Sequence, residues 1–126
     1  MANAPSVRDA FPADLAAFAQ TPVRIAQRQW FEYKEGKVYV RAYPMNGATW
    51  LGLGAIEVLD KHKRRGHFNF VLTELEQIAS AGKGRVSVEN IQNYIVEEAV
   101  QRRGYTIKDP QNMCPTYYKD FGGMTL

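Results

Sequence analysis

The sequence predicts a mixed α+β fold, one sheet covered by helices, and two observations carry that prediction. Between Trp30 and Val58, three stretches with strand-like alternation follow one another through short turn signals, which reads as an antiparallel meander. After Val58, two stretches of helical spacing alternate with short strand-like segments. The resulting order of strands, helix, strand, helix, strand places helices against a mixed sheet.

Residues 1–10 read as a flexible lead-in, Met1 to Arg8 being small and polar. Phe11 to Ala19 reads as a short helix, and strand texture begins at Val23. Trp30–Tyr33 and Val38–Tyr43 flank Lys34–Glu35–Gly36 as a hairpin, with Val38, Val40 and Ala42 alternating against Tyr39, Arg41 and Tyr43. Pro44–Gly47 is a second turn signal, Asn46–Gly47 supplying the positive φ angles of a tight hairpin. Thr49 to Val58 is the third strand. Phe68, Val71, Leu72, Leu75, Ile78 and Ala79 then recur at helical spacing, and Gly82 is expected as a left-handed C-terminal cap. Arg85–Val88 is a short strand. Asn90 is the expected N-cap of a second helix that turns Ile91, Ile95, Val96 and Ala99 inward. Arg102 and Arg103 fall in its last turn, where cations offset the helix dipole, and Gly104 stops it. Tyr105–Lys108 and Pro115–Phe121 are closing strands around a polar loop, Asp109 to Cys114.

The chain of 126 residues fits one domain spanning 1–126, and its 45% hydrophobic content is that of a globular protein. No apolar run approaches the roughly 18–20 residues of a membrane span, and the N-terminus lacks a signal-peptide core. The one cysteine, Cys114, forms no internal disulfide and belongs to no metal-ligand cluster, so a cytoplasmic setting without a metal is expected. Net charge is only +3, yet the basic residues gather in Lys61–His62–Lys63–Arg64–Arg65, directly before Gly66 and a helix. A strand that opens into a basic, glycine-containing loop and then a helix presents backbone N–H groups and the helix dipole to an anion. Gly66 lets that backbone approach a phosphate.

In these residues the chain resembles the GNAT superfamily of N-acetyltransferases. Val58 matches the strand valine, Lys63–Phe68 covers the Gln/Arg-x-x-Gly-x-Gly/Ala loop in register, and Arg103–Gly104–Tyr105 resembles the Gly–Phe ending of the second helix. The likeness runs from Thr49 to Ile107, with Lys63 in place of Gln or Arg and Phe68 in place of a small residue. It implies a largely antiparallel sheet with a V-shaped splay between the strand ending at Val58 and the strand at Arg85–Val88. It also implies acyl transfer from acetyl-CoA, or a related acyl-CoA, to an amine. The cofactor residues it implies are Ile56 and Val58 for the pantetheine arm, with Lys63, Arg64, Arg65, Gly66, His67 and Phe68 around the pyrophosphate. Asn93 or Asn90 is a further candidate for substrate or thioester, with the helix cap the more ordinary role for Asn90.

The tyrosine common in the second helix falls at Val100, which holds no proton. Glu57 is the base candidate; Tyr94, Tyr117 and Tyr118 are alternative proton donors, and His62 and His67 are expected at phosphate or in solvent. Two other readings stand beside this one. The first is a GNAT-like binder without catalysis. The second is a small basic nucleic-acid-binding protein, with Trp30, Tyr33, Tyr39 or Tyr43 stacking on bases. The acceptor amine has no signature, and a homodimer is suggested by the small size and the aromatic N-terminal strands.

Overall fold

The computed structural model describes residues 4–19, 25–45, 48–82, 84–108 and 113–121. The expected strand onset at Val23, the Asn46–Gly47 turn and most of the loop from Asp109 lie outside them. The described elements are α1 (Val7–Phe18), β1 (Gln27–Tyr33), β2 (Gly36–Met45), β3 (Ala48–Val58), α2 (His67–Ala81), β4 (Arg85–Val88), α3 (Tyr94–Arg102), β5 (Thr106–Ile107) and β6 (Tyr117–Asp120). A 3-10 turn, Asp60–His62, leads into α2. The six strands form one sheet in the order β1-β2-β3-β4-β6-β5. Every neighbouring pair is antiparallel except β3 and β4.

One continuous core joins the three helices to one face of this sheet. Val38, Val40, Ala42, Leu51, Leu53, Val86 and Val88 project into it, met by Phe11 and Leu15 of α1, Val71, Leu72 and Leu75 of α2, and Val100 of α3. The opposite face carries Tyr39, Arg41, Tyr43, Trp50, Ser87 and Tyr118, by alternation with those residues. In β3 the alternation slips by one residue. Tyr39 pairs with Ala55 and Val40 with Leu53, so Gly54 is the extra residue of a β-bulge. Before it, Leu51 and Leu53 face the core; after it, Ile56 does, opposite Val38.

Three sequence expectations are corrected. The chain is helical from Val7, not from Phe11, and Pro12 lies inside the helix. Ser6 caps the first turn, its Oγ accepting from Arg8 N–H at 3.3 Å, and Val7 N–H donates to the buried Glu35 carboxylate at 2.8 Å. These bonds satisfy end groups that local sequence leaves open. Burying Val7, Phe11 and Leu15 outweighs the backbone bond that Pro12 removes. Second, Asn93 rather than Asn90 is the N-cap of α3, its Oδ1 accepting from Ile95 N–H at 2.7 Å. Asn90 instead sits in left-handed conformation at φ 52°, and Ile95 points to solvent while Val100 is buried. Third, Gly82 ends α2 at φ −97°, outside the left-handed region, whereas Gly104 does stop α3 at φ 89°.

Candidate functional site

The parallel pairing of β3 and β4 is short. It runs from Trp50↔Arg85 to Leu53↔Val88, and one more bond, Glu89 N–H to Leu53 O at 3.0 Å, closes it. Asn90 then turns the chain away. From Gly54 to Val58, β3 is paired with β2 on one side and with no described residue on the other. The two strands therefore part at Leu53 and open a cleft of about 500 Å³. Its walls include Ala55, Ile56 and Glu57 from β3, Phe68 from the first turn of α2, and Asn93 and Val96 from α3.

The loop at the start of α2 carries two left-handed residues and a helix start without a side-chain cap. The left-handed residues are Arg64 at φ 63° and Gly66 at φ 79°, on either side of Arg65. Gly66 is the N-cap and offers no side chain, so the N–H groups of His67, Phe68 and Asn69 have no acceptor within the helix. Lys63 pairs with Asp60 at 3.1 Å, and Arg64 and Arg65 stand exposed. Another cation joins them that sequence reading passed over. Arg8 of α1 donates to the Arg65 carbonyl at 2.8 Å and lies over the Phe70 ring at 5.0 Å. No local signal marks Arg8, because only tertiary packing brings it to a loop 57 residues away.

The expected site residues are gathered only in part. Ile56, Glu57, Phe68 and Asn93 line the cleft. Phe68 also packs against the core, and Asn93 spends its Oδ1 on the helix cap. Glu57 is exposed and faces Lys37 at 3.9 Å on the helix-free face. Tyr94 and Tyr117 do not line the cleft. Tyr94 projects into solvent, and the Tyr117 hydroxyl is held under α3, donating to Glu97 and accepting from Gln101, each at 2.9 Å. The His67 side chain is not at phosphate or in solvent, as expected, but buried beside Glu35. Burial holds its pKa below the usual histidine value, and the nearby Glu35 charge only partly opposes that. Tyr33 is likewise buried, donating to Asp14 at 2.8 Å, which removes it from any stacking surface. Arg103 has a structural role, with Nη1 donating to Glu76 at 2.7 Å and Nη2 to Thr73 at 3.1 Å.

Glu89, which sequence reading did not single out, stands where the strands part. Its carboxylate accepts from the Tyr43 hydroxyl at 2.9 Å and lies 3.6 Å from Arg41 Nε. It occupies the space over β3 that Gly52 leaves: a Cβ there would collide with it. Burial and the Glu89 charge push the Tyr43 pKa up, so the hydroxyl keeps its proton and donates. Sequence order hides this group, since Tyr43, Gly52 and Glu89 meet only across three strands. Among the described residues, no cluster of His, Cys, Asp and Glu could hold a metal ion, and no helix is long and apolar enough to cross a membrane.

No protein-family model and no curated protein matches the sequence. Solved structures do match the fold. Naa50 of Arabidopsis thaliana, in complex with the bisubstrate analogue CoA-Ac-MVNAL, superposes with a TM-score of 0.58 at 14% identity, covering 94% of this chain and 97% of that one. An acetyltransferase from Thermus thermophilus gives 0.53 at 19% identity over 93% of this chain and 76% of that one. The chain has the fold of the GNAT acetyltransferases.

Proposed function

We propose that this protein is an N-acyltransferase that moves an acetyl group, or a related acyl group, from acyl-CoA to an amine. The observation that carries the reading is the opening of β3 from β4 at Leu53, with the uncapped start of α2 contributing to its wall. In that cleft the free edge of β3 near Ile56 offers backbone partners to the amides of the pantetheine arm. The loop N–H groups of Arg64 to His67, with Arg65 and Arg8 beside them, hold the pyrophosphate. Phe68, the departure from the family loop, turns its ring to the core and the cleft wall.

Transfer needs an amine stripped of its extra proton and a thioester carbonyl held in place. Glu89 is the proton acceptor this reading favours over Glu57, because it is largely buried, fixed by Tyr43 and Arg41, and placed where the strands part. Glu57 remains the alternative on the same cleft wall. Tyr94 and Tyr117 have no place in the proposal as thiolate donors, since neither lines the cleft.

Calorimetry with acetyl-CoA on the wild type, Gly66→Asn and Gly66→Asp tests it. Asparagine controls for the altered backbone at φ 79°, and aspartate adds a charge against the phosphates. Micromolar binding by the wild type, kept within a fewfold by Gly66→Asn and lost in Gly66→Asp, is the expected result. No binding by the wild type overturns the reading.

A further inference from the structure

The sheet face opposite the helices, which carries none among the described residues, has a second recess, of about 290 Å³, beside Trp50. The indole is fixed. Its Nε1 donates to the buried Ser87 hydroxyl at 2.8 Å, and the Tyr43 ring packs on it at 5.0 Å. Two cations approach its faces, Arg85 at 5.0 Å and Lys108 at 5.6 Å. Arg85 is committed to Asp120, which it holds with two guanidinium nitrogens. Lys108 lines the recess together with Arg41, Tyr43, Trp50 and Glu89.

Glu89 and Asn90 line both this recess and the cleft, so the two spaces back onto one carboxylate. The recess thus presents one carboxylate and two cations. An amine with a neutral or cationic tail would add positive charge where positive charge is already in excess. A molecule with an ammonium at one end and an anion at the other matches both signs, the ammonium at Glu89 and the anion at Lys108. The volume is at the small end of small-molecule sites, which run from about 300 Å³ upward.

Resting on the reading of the cleft as the acyl-CoA site, we infer that the acceptor enters from the helix-free face. It is a small primary amine carrying an anionic group, carboxylate or phosphate. Acyl-CoA and amine then meet across Glu89 from opposite sides. The amine nitrogen gives a proton to Glu89 and bonds to the acyl carbon as the carbon–sulfur bond breaks. The sulfur leaves as thiolate and takes the second proton that the nitrogen sheds as the amide forms, giving the thiol.

Amine binding is measured first on the free protein, without acyl-CoA, through Trp50 fluorescence in the Trp30→Phe variant, which leaves one of the two tryptophans. The probes are β-alanine (carboxylate), phosphoethanolamine (phosphate), ethanolamine and spermidine (no anion), and a short peptide with neutral side chains, amidated at its C-terminus. The expected result is saturable binding of β-alanine or phosphoethanolamine, whichever anion fits, at least tenfold tighter than ethanolamine. Lys108→Glu should remove that preference, and kcat/KM with acetyl-CoA should follow the same order. Equal binding of ethanolamine and phosphoethanolamine overturns the inference, as does preference for spermidine or the peptide, no binding of any probe, or no effect of Lys108→Glu. Anionic amines that bind to a protein that ignores acetyl-CoA would keep the recess and refute the acyltransferase reading. Acetyl-CoA binding without anionic-amine binding would do the reverse.

Discussion

Glu89 is poised between two environments, hydrogen-bonded by Tyr43 and flanked by Arg41. Glu89→Gln keeps the shape and the bond to Tyr43 but cannot take a proton. Its turnover with acetyl-CoA should fall roughly a hundredfold or more while acetyl-CoA affinity, read by calorimetry, stays within a fewfold. Glu57→Gln, at an exposed position paired loosely with Lys37, should change turnover by far less. The contrast shows what a sequence displays at single positions. Glu57 is conspicuous because it interrupts an apolar strand beside the basic loop. Glu89 follows a strand of four residues, and its partners lie 46 and 48 positions back, so nothing nearby marks it. Gly66 was legible for the opposite reason: a glycine between a basic run and a helical pattern is a local signal, and φ 79° is its local cause.

Elements were legible where packing repeats and obscure where a tertiary bond sets the end. The spacing of Val71, Leu72, Leu75 and Ala79 places α2, and those four residues are buried. The start of α1 depends instead on Glu35 reaching back from the first hairpin to Val7 N–H and the Ser6 hydroxyl. The strand β3 was legible as a strand but not in its faces, because the bulge at Gly54 shifts the alternation partway along. Deleting Gly54 should restore a plain ladder that keeps Leu53 opposite Val40 and Ile56 opposite Val38 on the core face, so urea unfolding should lose only about 1 kcal/mol. In α3, two adjacent arginines separate by environment. Arg103 is held by Glu76, Thr73 and the Asn69 carbonyl between α2 and α3, whereas Arg102 meets Glu98 at 3.8 Å with both side chains mostly exposed. Arg103→Ala should cost about 1–3 kcal/mol and Arg102→Ala less than about 0.5 kcal/mol, measured by the same unfolding curves.

For the molecule as a whole, the buried pair Glu35 and His67 ties stability to pH. Burial raises the Glu35 pKa, but the bonds from Val7 N–H and Ser6 outweigh it and hold the carboxyl below its usual value. Both groups thus bind protons more weakly folded than unfolded, so stability rises with pH across each window. It should fall as pH drops below about 6.5, as His67 protonates in the unfolded chain, and again below about 4.5 through Glu35. Urea midpoints from pH 7.5 to 4 check this, and His67→Leu should flatten the first step and keep most of the second, which the Val7 and Ser6 bonds mainly set. The antiparallel meander and the strand–helix alternation made the architecture readable, since each is a repeated local pattern. The joining of α1 to the loop before α2 was not, because one long-range contact makes it. That contact, from Arg8 to the Arg65 carbonyl, has a thermodynamic corollary. If the loop closes on a phosphate, whatever strengthens the loop also strengthens the grip on α1, and the relation is reciprocal. Proteolytic nicking at the N-terminal helix would then slow when acetyl-CoA is added, and trimming that helix would loosen the hold on a ligand it lies beside, two distant segments of the chain acting as one clasp.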